Sequence, residues 1–142
     1  MANNPHYGTT ARANMLDEIN TELGADSLFI LYAGAQPDDA SAVVTAGNVS
    51  VARLLMTAGA GSAFSAAGQT AGSMTAQAIT SDASAAGGSA NWFSIEASAG
   101  TGTTRKIDGE VGTSASDLNL NSQTITTGAT VAITAFTVTI AA

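Results

Sequence analysis

Cysteine is absent from the chain, which rules out a disulfide, a thiolate nucleophile and a cysteine-ligated metal. Basic residues are scarce: Arg12, Arg53, Arg105 and Lys106 face eleven acids, for a net charge of −7. Nucleic acid and anionic membrane surfaces both recruit rows of Lys and Arg, so neither is an expected partner. The one histidine, His6, follows Pro5 near the start of the chain. That is a poor mount for a base that must be held rigidly beside its nucleophile. Ligands for zinc are too few. No apolar run reaches the roughly 18 residues of a membrane span. The first ten residues lack the basic-then-apolar order of a signal peptide, so the chain is expected to be soluble and made in the cytosol.

Large apolar side chains are also few: four Phe and one Trp, with alanine supplying much of the 45% hydrophobic content. A chain of 142 residues is one domain by size. Its core is expected to be thin, with oligomerisation completing its stability.

What the chain does have is β pattern. Residues 1–9 (MANNPHYGT) show no apolar period and read as an extended arm, ordered against a partner. Residues 10–142 read as one β-rich domain. Thr9 or Thr10 offers an N-cap, and Met15, Leu16, Ile19 and Leu23 recur at helical steps up to Gly24, predicting one amphipathic helix. The continuous apolar run 27–33 (SLFILYA) fits a strand buried on both faces. Strands are expected at 49–56 and, more weakly, at 63–65 and 73–80. Thr-Ala-Gly recurs at 45–47, 57–59 and 70–72, a spacing that suits turns between short strands. The small-residue stretch 81–90 is expected to be a loop outside the core. Residues 91–97 (NWFSIEA) alternate Trp92, Ser94 and Glu96 with Phe93, Ile95 and Ala97, and 104–111 should complete a hairpin with them.

The closing stretch 117–140 is the most β-prone. Thr130 to Ile140 reads as the long central strand, with a phase flip between Ala135 and Phe136 that fits a bulge or burial on both sides. Together these features predict an all-β fold: an antiparallel sandwich or jelly-roll-like domain with one short N-terminal helix.

Chemical motifs are weak throughout. Asp38 and Asp39 follow Pro37 as turn residues do and lack the D-x-D-x-D spacing of a calcium loop. Glu96 and Asp108 are expected on neighbouring strands, without the marks of an acid–base pair. Gly59-Ala60-Gly61-Ser62 lacks the Lys-Ser/Thr of a phosphate loop. Neither a cofactor nor an enzyme activity is expected. Asn4, Pro5, His6 and Tyr7 of the arm, and the basic pair Arg105 and Lys106, are the candidate contact residues for a partner.

Three segments taken together, in order, resemble a family of small virion proteins of tailed bacteriophages, usually found beside capsid genes. They are ARANMLDEIN followed by LFILYAGAQP, then ANWFSIEASAGT, then DGEVGTSASDLNLNSQTITTGATVAITAFTVTI. The alanine-rich middle, 58–90, departs from the pattern. The resemblance implies a capsid-associated accessory role and attaches no catalytic activity to it. With the acidic, site-poor β domain, it leads to a decoration or cement protein on the capsid surface, made in the host cytoplasm. Its partners would be the major capsid protein and further copies of itself, as a dimer or trimer. A tail or head–tail junction component is the alternative. A carbohydrate- or receptor-binding module, with Trp92 or Tyr32 as a stacking platform, is another.

Overall fold

The computed structural model describes residues 6–42, 44–57, 63–65, 72–97 and 105–141. Helix α1 runs Thr9–Leu23. Its N-cap is Gly8, not Thr9 or Thr10: Gly8 is extended, and its carbonyl accepts the Arg12 amide at 3.1 Å. Gly24, at φ 73°, ends the helix and donates its amide to the Asn20 carbonyl at 3.2 Å. The buried side is Leu16, Asn20 and Leu23 with Ile19 half-buried, whereas Met15, expected inside, is 44% exposed. The inward stripe is thus rotated by one position, and a polar residue takes the place of an apolar one.

Ten strands follow among the described residues: β1 (Asp26–Tyr32), β2 (Ser50–Thr57), β3 (Ser73–Thr75), β4 (Ala78–Thr80) and β5 (Gly88–Ser89) come first. The rest are β6 (Trp92–Glu96), β7 (Arg105–Gly112), β8 (Leu118–Asn119), β9 (Thr124–Ile125) and β10 (Thr137–Thr139). The fold is all-β with one short helix, as the sequence predicts. Six strands form one curled sheet in the order β4-β2-β1-β6-β7-β8, antiparallel except for the parallel β7–β8 pair. β10 pairs with β3, and β5 with β9, as two-stranded ribbons.

The central strand is β1, not the closing stretch. β1 pairs with β2 on one side, Phe29 opposite Leu54, and with β6 on the other, Phe29 opposite Ile95. Both of its faces are apolar, so both must be covered, and a strand between two neighbours meets that demand. From 130 to 140 only β10 is laddered. Before it, Val131 makes an isolated bridge with Asp82, and Val131, Ile133 and Phe136 turn inward without a continuous strand. The phase flip is real, but it belongs to an extended lid whose side chains, rather than its backbone, join the core.

That core lies between one face of the curled sheet, α1 and the lid. Phe29 and Phe93 stack at 5.0 Å between ring centroids, and Phe136 meets both edge-on at 5.1 and 5.3 Å. Each such contact contributes about 0.5–1.5 kcal/mol beyond area burial. Gly109 makes room for this cluster: a Cβ there would come within 2.7 Å of the Phe93 ring. The stretch 81–90 is not outside the core, since Ala85 and Ala90 are both fully enclosed. Small side chains are what fit where two backbones approach this closely.

Candidate functional site

The opposite face of the sheet carries the most unusual chemistry. Alternation along β1 and β6 sends Ile30, Tyr32, Trp92, Ser94 and Glu96 away from the main core. Residues 33–42 and 44–49 fold back over part of this face. Gly34, at φ 95°, makes the fold-back possible, because a Cβ there would overlap the Asn48 side chain. Asn48 in turn accepts the Trp92 indole N–H at 3.1 Å, and Gln36 donates to Asp108 at 3.2 Å. Trp92 and Tyr32 stack at 4.4 Å and are both buried. Neither ring offers an open face on which a sugar could stack.

Beside this pair, Glu96 is fully enclosed. Its Oε1 accepts from the Ser94 hydroxyl at 2.7 Å and the Tyr32 hydroxyl at 3.0 Å, while its Oε2 has no hydrogen-bond partner. Burial pushes the Tyr32 phenol up to about 12, helped by the charge of Glu96 and the bond donated to it, with Arg53 pulling weakly the other way. Tyr32 therefore stays protonated and serves as a fixed donor. The sequence placed Glu96 and Asp108 on neighbouring strands, and they are: β6 pairs Ser94 with Asp108 and Glu96 with Arg105. Glu96 lines none of the three surface clefts found among the described residues, each of about 240–280 Å³. The cluster fixes the packing of this sheet face through the bonds of Tyr32 and Ser94 to Glu96.

The other acidic side chains act locally. Asp82 caps a turn beside β2, accepting the Arg53 and Ser84 amides at 2.9 Å each, and these bonds hold its carboxyl below the usual range. Asp39 accepts the Ser41 amide at 2.6 Å and the Ala42 amide at 3.0 Å, the bonding of an Asx turn. No group of three or more potential metal ligands occurs among the described residues.

Of the candidate contact residues, Asn4 and Pro5 lie outside the described residues. His6 and Tyr7 are exposed, Tyr7 at 44%. Arg105 begins β7, and Lys106 forms an ion pair with Glu22 of α1 at 2.6 Å. The basic pair is thus partly engaged within the chain. Sequence reasoning missed Met15, which it counted as core and which stands in the open beside exposed acids of α1. Met15 lies about a quarter turn from the centre of the face formed by Leu16, Ile19, Asn20 and Leu23, and the polar Asn20, which an apolar pattern does not count, takes the inward position.

No family model, no curated protein and no solved structure matches this chain.

Proposed function

We propose that this chain is a structural protein of a tailed-phage virion, a decoration or cement protein that binds the outer head surface as a homo-oligomer and stabilises the lattice of the major capsid protein. The observation that carries this reading is where the three resembling segments fall. They supply Leu16 of α1, Phe29 and Leu31 of β1, Phe93 and Ile95 of β6, and Val131, Ile133 and Phe136 of the lid, all members of one core cluster. The resemblance therefore rests on residues that specify the fold and not on scattered surface likeness. Among the described residues, the departing middle contributes the short strands β3, β4 and β5 and adds Ala63, Phe64, Met74 and Ala85 to the same cluster.

The mechanism is mass action. A protein that binds the expanded lattice and not its precursor stabilises the expanded form. Copies joined to one another gain further from simultaneous engagement. The test is co-sedimentation of the purified chain with expanded heads assembled without it. Saturable binding, and heads that withstand a higher temperature before rupture, are the expected results. A reconstruction of the particle with no density for a 14.0 kDa chain on the head would overturn the reading.

A further inference from the structure

The lid is bonded along one side only. It runs antiparallel to 73–82: Val131 exchanges both backbone bonds with Asp82, at 2.8 and 3.0 Å, and the Phe136 carbonyl accepts the Ala76 amide at 2.8 Å. The Ile140 amide donates to Gly72 at 2.9 Å, so the backbone groups of Phe136, Val138 and Ile140 all face the β3 side. Thr137 and Thr139 turn theirs the other way, where neither has a backbone partner among the described residues. Residues 132–135 make no backbone hydrogen bond among them at all. This unbonded side faces the β7–β8 edge of the sheet across a seam. A cleft of about 240 Å³ lies between 132–135 and 118–121. A second, of about 280 Å³, lies between 136–139 and Ile107, Asp108 and Asp117, with Phe93 in its wall. On the sheet side, β8 bonds to β7 through the Leu120 amide at 2.8 Å, which turns the backbone of Asn119 toward the first cleft.

Residues 132–139 (AITAFTVT) carry no proline and no charge, the devices that commonly blunt a strand edge. A row of unbonded N–H and C=O groups recognises one kind of ligand, another extended backbone. The walls specify its side chains. Ile133, Phe136 and Phe93 make the seam apolar, while Asp108 and Asp117 are the only charged residues lining either cleft. A second copy has no strand to offer. Its ten described strands are already laddered, and its lid is backed by β3, so it could not thread between lid and sheet. Its arm carries Pro5, which has no amide to donate. We infer that the seam takes an extended segment of a different protein, added as a strand against 132–139. That segment has apolar side chains at alternate positions and a basic one toward Asp108 and Asp117. Under the accessory role proposed above, on which this inference rests, it belongs to the capsid protein.

The test uses the full chain and expanded heads of the same phage assembled without it. Thr137→Pro deletes the amide that points into the seam and leaves the bonds of Phe136, Val138 and Ile140 in place. Thr137→Val keeps that amide and loses only the hydroxyl, which lies 3.1 Å from the Thr75 hydroxyl. Thr137→Val should bind heads as wild type does, and Thr137→Pro about tenfold more weakly, the effect of one hydrogen bond. Amide exchange across 132–139, read by mass spectrometry, should slow when wild type binds. Should Thr137→Pro fail to fold, Ala135→Lys, at an exposed position lining the first cleft, is expected to fold and to lose binding to the same degree. Wild-type binding by whichever of these two variants folds would overturn the strand slot and leave the accessory role standing. An equal loss in Thr137→Val would place the effect on the hydroxyl and overturn the backbone pairing. Failure of the wild type to bind heads would overturn the role and the inference together. Slow exchange across 132–139 in an oligomer formed without heads would put a second copy in the seam and overturn the different partner.

Discussion

Asn20 sits on the buried side of α1, and its carboxamide grips Phe64 twice. The side-chain oxygen accepts the Phe64 amide at 3.1 Å, and the side-chain nitrogen donates to the Phe64 carbonyl at 3.3 Å. A helix thereby bonds to an extended segment in the way a neighbouring strand would. Asn20→Ala removes both bonds from a site closed to water and is expected to cost about 1–3 kcal/mol for each. Urea unfolding measures this, and a midpoint equal to wild type would show the grip to be idle. Tyr32 makes a prediction in pH. Its phenol is held at about 12 in the fold against an ordinary 10.0. Below about pH 10 both folded and unfolded chains keep the proton, so the contribution to stability is complete. Above it the unfolded chain releases a proton that the folded chain retains, so stability falls between about pH 10 and 12. Tyr32→Phe keeps the stack on Trp92 and should flatten that part of the profile. An unchanged alkaline slope would place its origin elsewhere.

Among the elements, those legible in the sequence were the ones whose patterns have a single physical solution. The run at 27–33 is apolar on both sides, which only a covered strand accommodates, and β1 is that strand. Period-2 alternation through Trp92–Glu96 separates the two sheet faces as read, with Phe93 and Ile95 in the main core and Trp92 on the other side. The closing stretch was misread because β-branched residues say that a chain is extended, not that it has neighbours to pair with. Burial in 81–90 was invisible because Ala85 and Ala90 carry no bulk to announce it. The exposure of Met15 was hidden because a polar residue, Asn20, occupies the inward position that Met15 was assigned. For the lid, Phe136→Ala is expected to cost about 3–5 kcal/mol, since the ring is 8% exposed and touches both Phe29 and Phe93. In a domain of about 5–15 kcal/mol total stability that is a large share, read directly by thermal melting. A variant that melts normally would move Phe136 out of the core.

For the whole molecule, the accessory role proposed above would assign folding and partner contact to different parts of the chain. Among the described residues, the buried hydrophobic ones begin at Leu16, and none of residues 6–8 belongs to the core. Gly8 is the last residue before α1 with a structural task, through the carbonyl that accepts the Arg12 amide. The arm is therefore best removed just ahead of Gly8, two residues short of the boundary expected from the sequence. A chain lacking residues 1–7 keeps the N-cap, the helix and the sheet. Its circular dichroism should stay β-rich, and its stability should lie within about 0.5 kcal/mol of the full chain, as for changes away from buried features. What it loses is Tyr7 and the candidate contacts at Asn4, Pro5 and His6. If these residues serve the partner and not the fold, binding to expanded heads should weaken while the melting temperature holds. A drop in melting temperature equal to that of a core variant would make the arm part of the domain. Undiminished binding by a well-folded truncated chain would remove the arm from the contact. The two measurements, melting and co-sedimentation on the same preparation, separate these cases because α1 is anchored by Leu16, Asn20 and Leu23, none of which the truncation touches.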